Sequence, residues 1–378
     1  MKKPVYLDCN ATTPLEPEVA ETLIHYLTEE YGNEGSRTHE YGSRAKQAVQ
    51  QARDQVASVV AAQRDEVFFT SGATESNNLA ILGLVESGEK SDKRHIVCTR
   101  IEHKAVLEPM DWMQAKGFDI TWVDVGPSGR LEADAIQKAL RKDTHLVSVM
   151  HANNETGVIQ PIDQIAEVLQ EHSAYFHTDA AQTFGKELSA LRNKRIDLIS
   201  ISGHKIFGPK GIGALIARRR GYRKCPLAPI YAGGGQERGL RPGTLPVALI
   251  AALGKAAEMA EKNHAKRTER CLEIRTKAMN VLNKLAPKYS GDQTNVMPHV
   301  INLSINQTDS EALIVGLKDL IAISNGSACT SASYSPSHVL KAMGMNDDEA
   351  NACIRISWSH LTPDVDWDEV AGRIKKLI

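Results

Sequence analysis

One lysine lies where a strand is predicted to end, among residues that could bind an anion. Lys205 follows the apolar run 198–202 and precedes the glycine-rich turn 208–211. Ser202, His204 and the loop amides could bind phosphate oxygens. A lysine beside a phosphate site can form an imine with an aldehyde, which is how proteins hold pyridoxal phosphate. The alternative is a solvated surface lysine, which lysine frequency alone favours.

A phosphate also needs unpaired backbone amides, and residues 70–75 could supply them. This segment, TSGATE, follows the apolar run 67–69 and opens a predicted helix, whose N-terminus would attract an anion through its free N–H groups. Gly72 allows close approach of the backbone, and Thr74 adds a hydroxyl. Ordinary helix capping explains the same pattern, so the segment indicates a phosphate site only in combination with Lys205.

A carboxylate at a strand end could hold the pyridinium nitrogen of the same cofactor. Asp179 comes directly after the predicted strand 175–178. In α/β folds, ligands bind at the carboxyl edge of the sheet, and a carboxylate there would keep the ring protonated as an electron sink. An aspartate in this position is more often a helix cap. Its place between the lysine and the helix N-terminus favours the cofactor role.

Cys329 differs from the other cysteines in its surroundings. It lies in a run of small polar residues, 324–333, with no apolar periodicity, which predicts a loop and an accessible thiol. The others lie in apolar runs, on predicted elements or near aromatic residues, and are interpreted as structural: Cys9, Cys98, Cys225, Cys271 and Cys353. With no C-x-x-C pair, neither a zinc site nor a disulfide scaffold is predicted, and a reducing compartment is expected.

Composition excludes several classes of function. The 45 basic and 46 acidic side chains leave a formal net charge of −1, which argues against direct nucleic-acid or membrane-surface binding. No stretch of about 20 apolar residues and no signal peptide is present, so we expect a cytoplasmic protein without a membrane segment. The glycines of 233–239 and 208–211 do not match the spacing of a dinucleotide or nucleoside triphosphate loop.

The elements that must position these residues form a large α/β unit. Apolar residues at 45, 48, 49, 52, 56, 59 and 60 form one stripe of a helix over 44–60. Seven strands are predicted, and most are separated by helical segments such as 162–170, which indicates a largely parallel sheet. Their ranges are 67–70, 95–98, 120–124, 145–150, 175–178, 198–202 and 212–217.

A long helical stretch after residue 246 reaches about residue 285 and marks the change to a smaller α+β unit. Strands are predicted near 300–304 and 353–357, with helices after Asp309 and after 362–363. We therefore predict a large cofactor-binding domain over 14–257. Residues 1–13 and 258–378 are assigned to a small domain that carries the Cys329 loop.

Taken together, these residues resemble the cysteine desulfurases of the NifS/IscS group, within the class-V aminotransferase family of fold-type-I pyridoxal-phosphate enzymes. The resemblance runs along nearly the whole chain. In order, the shared segments are LDCNATTP, TSGATESNN, the Glu102–His103 pair, MHANNETG, HTDAAQ, SGHKIFGPKGIG, GGGQERGLRPGT, SNGSACTSAS and RISWS. It implies a seven-stranded, mainly parallel sheet in a large domain with a smaller α+β domain.

The resemblance also implies roles around the cofactor. Lys205 would bind it covalently and move the substrate Cα proton, while His103 would stack on the ring and assist proton transfer. Asp179 would hold the pyridinium and Gln182 the phenolic oxygen. The phosphate would be bound by Ala73, Thr74, Ser202 and His204, joined by Thr244 of the neighbouring subunit. A homodimer with a shared active site is therefore expected.

For the substrate, the resemblance implies that Asn154 contacts the cofactor and, with Arg355, holds the carboxylate of L-cysteine. Cys329 would take the sulfur as a persulfide, leaving L-alanine, with His103 as the candidate acceptor of the thiol proton. A sulfur-acceptor protein would then receive the sulfur. The alternatives are a selenocysteine lyase-like enzyme, which would not need Cys329, and a non-catalytic cofactor-binding scaffold.

Some segments depart from the family pattern. Residues 33–36, Asn325 and residues 358–360 differ from the usual runs, and the chain ends at Ile378 without the C-terminal extension of IscS-like members. The Cys329 loop has the long, serine-rich form of the IscS/NifS group. The acceptor is therefore left open among iron–sulfur cluster assembly, tRNA thiolation and DNA phosphorothioation.

Overall fold

The computed structural model of the chain describes residues 3–325 and 336–378. The strands of these residues are β1 Val5–Tyr6, β2 Val67–Thr70, β3 His95–Thr99, β4 Asp119–Val123, β5 Thr144–Ser148, β6 Tyr175–Asp179, β7 Leu198–Ser202, β8 Gly213–Ala217, β9 Lys288–Tyr289, β10 Val300–Ser304, β11 Ile321–Ala322 and β12 Ile354–Ser357. Their helices are α1 Pro17–Thr28, α2 Glu40–Val59, α3 Ala73–Leu82, α4 Val85–Ser91, α5 Lys104–Ala115, α6 Ala133–Ala139, α7 Ile162–Val168, α8 Val247–Lys262, α9 His264–Leu282, α10 Ser310–Leu317, α11 His338–Ala342, α12 Asp347–Asn351 and α13 Trp367–Ile374.

The central sheet of the described residues has seven strands in the order β2-β8-β7-β6-β5-β3-β4. Strand β8 is antiparallel to both of its neighbours, and the other pairs are parallel. Every residue of β3, β5, β7 and β8 is buried, as expected for strands covered on both faces. The predicted mainly parallel, seven-stranded sheet is confirmed, with strand ends within two residues of the predicted ones.

Because β2, β3, β5, β6 and β7 point the same way, their carboxyl ends share one edge of the sheet. The antiparallel β8 begins at this edge, where its backbone passes very close to its neighbours. A Cβ added to Gly213 would lie 2.4 Å from the carbonyl oxygen of Ile201 and 2.7 Å from the Cα of Gly72. Only a glycine fits at the start of β8.

The helix α2 packs its predicted apolar stripe, including Ala45, Val49, Ala52 and Val56, into the core beneath the sheet. Its partner α8 approaches it closely, since a Cβ on Gly254 would lie 2.5 Å from the Cα of Ala52. The stripe predicted from the 3-4 spacing is confirmed.

A second core lies outside the central sheet. Its buried side chains include Leu7, Ile274, Ile301, Ile356 and Trp358, contributed by the N-terminal segment, α9, β10 and the region of β12. In the described residues it is built on an antiparallel sheet β12-β10-β9 and a parallel pair β1-β11. The smaller α+β unit is thus present, and the boundary between 257 and 258 stays a prediction.

Four predictions of helix boundaries change, the first being the start of α2, which lies at Glu40 and not at residue 44. The stretch after residue 246 is divided at Asn263 into α8 and α9. The helix predicted after 362–363 begins only at Trp367, since the side chain of Asp366 caps it and Thr362 Oγ1 instead accepts from the Ser359 N–H at 2.9 Å. The segment 162–170 is helical only to Val168. In the part of the chain that the structure describes, no helix is long and apolar enough to cross a membrane.

Candidate active site

The carboxyl edge of the sheet opens into a cavity of about 470 Å³, a size typical of a small-molecule site. Nine of the predicted cofactor residues line it: Ala73, Thr74, His103, Asn154, Asp179, Gln182, Ser202, His204 and Lys205. They lie at the carboxyl ends of β6 and β7 or in the segments that follow β2, β3, β5, β6 and β7. The parallel strand ends therefore bring together residues that are far apart in the sequence.

The N-terminus of α3 forms one wall of this cavity. Gly72 precedes the helix with a φ of 155°, a conformation that favours glycine. Glu75, in the first turn, accepts from the Ser71 N–H at 2.7 Å and pairs with Arg241 at 2.8 Å. Because Arg241 balances the Glu75 charge, the free amides of the first turn remain favourable to an anion.

Glu75 is the centre of a hydrogen-bonded group at this helix end. The hydroxyl of Tyr231 donates to it at 2.7 Å. Burial raises the pKa of the Glu75 carboxyl, but hydrogen bonds from Arg241, Ser71 and Tyr231 outweigh burial and lower that pKa to about 2. These hydrogen bonds thus connect the N-terminus of α3, the wall that could bind a phosphate, to the loop that contains Arg241.

Asp179 ends β6 and is 6% exposed. Its Oδ2 accepts from Nδ2 of Asn77 at 2.7 Å, and its Oδ1 accepts from the Ala181 N–H at 2.9 Å. Two donors hold the carboxylate in one orientation, as a partner for a protonated ring nitrogen requires. Asn77 was not among the predicted residues. The signal was a polar residue one helical turn after Thr74, on the face that turns toward the sheet.

His103 lines the cavity and caps α5. Its Nδ1 accepts from the Ala105 N–H at 3.1 Å, so the proton of the neutral ring lies on Nε2. Burial lowers the pKa of the His103 imidazole, and the opposing influence of Asp179 does not reverse this. His103 is therefore a neutral ring that offers an N–H donor from Nε2.

Lys205 lies in the single turn after β7, where its ammonium donates to the carbonyl oxygens of Asn10 and, at 2.9 Å, Ala11. Nε2 of Gln182 donates to the same Asn10 carbonyl at 3.0 Å. The N-terminal segment thus lies against the predicted cofactor lysine. Neither Asn10 nor Ala11 was predicted as a site residue, although both belong to the LDCNATTP segment.

His204 is the neighbour of this lysine, and its Nδ1 lies 3.2 Å from the hydroxyl of Thr12. Burial lowers the pKa of the His204 imidazole to about 4, and the nearby lysines contribute to the shift. His204 is therefore neutral at physiological pH. A neutral ring can offer one hydrogen bond to a phosphate oxygen without adding charge.

Three lining residues have unmatched polar atoms that fit a bound ligand. Oδ1 of Asn10, Oδ1 of Asn77 and Oε1 of Gln182 are buried and have no hydrogen-bond partner among residues 3–325 and 336–378. Buried polar atoms are normally satisfied. With an amine, a helix N-terminus and an oriented carboxylate around one cavity, the residues present fit pyridoxal phosphate.

Three of the predicted site residues are not among the described residues that line the cavity. Arg355, on β12, is fully buried and donates to Oδ1 of Asp8 at 2.7 Å and to the Asn154 carbonyl at 3.0 Å. It reaches the cavity through Asn154 and does not line it. Thr244 is exposed and lies outside the cavity of its own chain. Cys329 lies in 326–335, outside the described residues.

The other cysteines fit their predicted structural role. Cys9, Cys98, Cys271 and Cys353 are buried, and Cys225 is half-buried. Burial raises the pKa of the Cys9 and Cys271 thiols to about 11. These two thiols are therefore protonated at neutral pH and poor nucleophiles.

Residues on either side of 326–335 are bound to the site. Oγ of Ser324 donates to Oδ1 of Asp8 at 3.0 Å, the oxygen that also pairs with Arg355. Beyond the segment, Oγ of Ser337 donates to Glu155 at 2.5 Å. Ser324 and Ser337, the described residues near 326–335, thus lie next to residues that neighbour Asn154.

The loop that leads to Thr244 is also held in place. Glu237 pairs with Arg53 of α2 at 2.6 Å, both side chains being buried, and also accepts from the Phe69 N–H at 2.8 Å. Glu237 and Arg238 have positive φ values of 45° and 58°, a costly conformation for residues other than glycine. The buried ion pair, made within the chain, holds this conformation in place.

Comparison with known proteins defines the class. The family described as Aminotransferase class-V matches residues 5–370. A curated relative, "Cysteine desulfurase IscS" of Shewanella sp. (strain W3-18-1), is 45% identical over 100% of this chain and 93% of its own length. The chain therefore belongs to the class-V aminotransferase family, and within it to the cysteine desulfurases of the NifS/IscS group. The family is dependent on pyridoxal phosphate, as the resemblance implied.

Solved structures agree with this assignment. The crystal structure of DndA from Streptomyces lividans has 48% identity and a TM-score of 0.83, covering 92% of this chain and 98% of that one. A NifS-like protein has 35% identity and a TM-score of 0.89, covering 99% and 98%. SspA in complex with cysteine has 36% identity and a TM-score of 0.83, covering 95% and 100%. The predicted fold class and family are confirmed.

Proposed function

We propose that this chain converts L-cysteine to L-alanine and transfers the sulfur, as a persulfide on Cys329, to an acceptor protein. The observation that carries the proposal is the shared cavity of Lys205, Asp179 and the α3 N-terminus, in a chain 45% identical to a protein named cysteine desulfurase. A structural neighbour of 36% identity is described in complex with cysteine, which supports the substrate.

Pyridoxal phosphate, when bound, supplies an electron sink for breaking the Cα–H bond of the substrate. Lys205 would hold the aldehyde end of this group, and its amine would be the group that moves the Cα proton. Asp179 keeps the ring nitrogen protonated, since Asn77 and the Ala181 amide orient its carboxylate. The first turn of α3, with Ser202 and His204, holds the phosphate end. Gln182 is positioned to bond the phenolic oxygen.

The substrate carboxylate is assigned to Asn154 and Arg355. The buried guanidinium already contacts the Asn154 carbonyl and Asp8, so it can turn one edge toward a carboxylate near Asn154. An arginine fork suits a carboxylate better than a lysine does. Asp8 therefore sets how strongly Arg355 is available to the substrate.

Sulfur transfer then requires the thiolate of Cys329, which attacks the substrate Sγ. An S–S bond forms and the Cβ–S bond breaks, and the electron pair of that bond leaves with the carbon fragment that becomes L-alanine. His103 is our candidate for the thiol proton. Because its Nδ1 caps α5, it can take a proton only after that nitrogen leaves the Ala105 N–H.

We further propose a homodimer in which Thr244 completes the partner's phosphate site. Thr244 is exposed on a loop held by Arg53 and Glu237, and it does not line the cavity of its own chain. The acceptor would belong to iron–sulfur cluster assembly, tRNA thiolation or DNA phosphorothioation. The free, mostly buried cysteines of the described residues suit a reducing, cytoplasmic location.

The test is the variant Cys329→Ser, with Cys225→Ser as a matched control. Cys329→Ser should keep the cofactor absorbance at about 420 nm and lose alanine and sulfide release from L-cysteine. Cys225→Ser should keep both. Turnover of L-cysteine retained by Cys329→Ser would contradict the persulfide step. If wild type and variant both release alanine from selenocysteine and neither releases it from L-cysteine, the selenocysteine lyase-like function is favoured.

A further inference from the structure

A second cavity, of about 40 Å³, lies apart from the cofactor site and shares no lining residue with it. Lys186, His299 and Arg267 line it among apolar walls that include Ile206, Phe207 and Trp358. A space of this size holds one ion or a few waters.

Lys186 brings a positive charge to this space. Its ammonium contacts Nε2 of His299 at 3.4 Å, and in the described part of the chain it has no carboxylate partner. Burial lowers the pKa of Lys186 to about 8, so the side chain is still mostly charged at neutral pH. Burial and Lys186 itself lower the pKa of His299 far below its usual range. His299 is thus a neutral acceptor and leaves the lysine charge uncompensated.

The other charged groups at the cavity balance one another. Arg267 pairs with Glu16 at 2.9 Å, and His360 contacts the same carboxylate at 3.3 Å. His264 is bound through Nε2 to the carbonyl oxygen of Lys186 at 2.8 Å. With the single carboxylate engaged by Arg267, the charged groups around the cavity leave an excess of one positive charge.

Two thiols also lie within electrostatic reach of Lys186. Cys9 and Cys271 would compensate its charge only as thiolates. Burial raises the pKa of both to about 11, so both remain protonated at neutral pH. An ammonium that contacts a neutral histidine and no carboxylate is costly to bury unless it is paired. An anion small enough for the cavity would remove that cost.

We propose that this cavity binds one small monovalent inorganic anion, of the halide class, against the ammonium of Lys186. The site lies where the segment after β6, the turn containing Ile206 and Phe207, and α9 meet. The bound ion therefore stabilises the packing of α9 against the central sheet unit. The proposal is independent of the desulfurase chemistry, since no residue of that chemistry lines this space.

Bromide is the probe, because its anomalous scattering identifies it in a crystal. We expect an anomalous peak within hydrogen-bonding distance of Lys186 Nζ in crystals of the holoenzyme soaked in sodium bromide. In solution, sodium bromide should raise the Tm relative to sodium gluconate at equal ionic strength. The increase should be smaller at about pH 9 than at about pH 7, because Lys186 then loses its proton.

The variant Lys186→Met removes the charge and keeps the length of the side chain. We expect at least a tenfold weaker bromide Kd from the Tm titration. Lys266→Met is the matched control, since Lys266 is an exposed lysine of α9, and it should respond as wild type does. The proposal is overturned by a wild-type crystal without the peak, or by equal responses of both variants. If Lys186→Met does not fold, the wild-type crystal alone decides.

Discussion

The hydrogen-bonded group around Glu75 gives a quantitative prediction for the variant Glu75→Gln. Glutamine keeps the size of the side chain and removes the charge bound by Arg241. The difference between the usual pKa of 4.5 and the folded-state value of about 2 corresponds to about 3 kcal/mol of stabilisation at neutral pH. Glu75 is 12% exposed, and glutamine retains neutral hydrogen bonds, so we expect a loss of about 2 kcal/mol.

The pH dependence of this loss has a definite sign. The folded-state pKa is depressed, so the stabilisation is fully present above the unfolded value of 4.5 and is lost as the pH falls through about 2. The free energy of unfolding is measured in urea for wild type and Glu75→Gln without cofactor, at about pH 7 and at about pH 3. The difference between the two proteins should be smaller at the lower pH.

The control for this experiment is Glu86→Gln. Glu86 forms an exposed i,i+4 pair with Lys90 on α4, and surface pairs of this kind contribute little. We expect no measurable change of stability. If Glu75→Gln loses no more than the control, or if its loss is the same at both pH values, the argument that Arg241 and its neighbours stabilise the charged Glu75 is refuted.

Three further predictions concern the cofactor, the sheet edge and the substrate. Asn77→Ala should weaken the binding of pyridoxal phosphate about tenfold, because one hydrogen bond to the Asp179 carboxylate is lost. The affinity is measured in a titration followed by absorbance, and an unchanged affinity would argue against this positioning role. Gly213→Ala should cost about 1–3 kcal/mol in urea unfolding, whereas Gly235→Ala, in open space, should be near neutral; similar effects would contradict the close-approach argument. Arg355→Lys should raise KM for L-cysteine at least tenfold with a smaller change in kcat, and an unaltered KM would remove Arg355 from the carboxylate site.

The strands of the large unit could be predicted from the sequence because buried parallel strands are continuous apolar runs. The run 198–202 was predicted with the bounds of β7. The start of α13 was not, since 362–363 has the residue types of a helix start but the Thr362 hydroxyl is used by Ser359. Local composition cannot distinguish which of two nearby caps, here Thr362 or Asp366, is used.

Some residues of the candidate site could likewise be predicted from the sequence, and others could not. Lys205 and Asp179 could be predicted as candidate site residues because Asp179 ends a recognisable strand and Lys205 lies in the turn directly after another. Asn10 could not, since its role depends on a contact with Lys205, 195 positions away in the sequence. The ion pair between Asp8 and Arg355 spans 347 positions. Such pairs are set by the packing of distant segments, which no local pattern indicates.

The buried pair of Arg53 and Glu237 has a consequence for how the proposed homodimer assembles. The pair fixes the backbone before Thr244 within a single subunit. The loop that each subunit contributes to its partner's phosphate site would therefore have its final conformation before the subunits associate. Association then carries little ordering cost for this loop. If one subunit carries an inactivating substitution at Lys205 and the other carries one at Thr244, the mixed dimer would have one intact site. Each chain of the proposed homodimer would thus form its contribution to the neighbouring active site as it folds, before the dimer assembles.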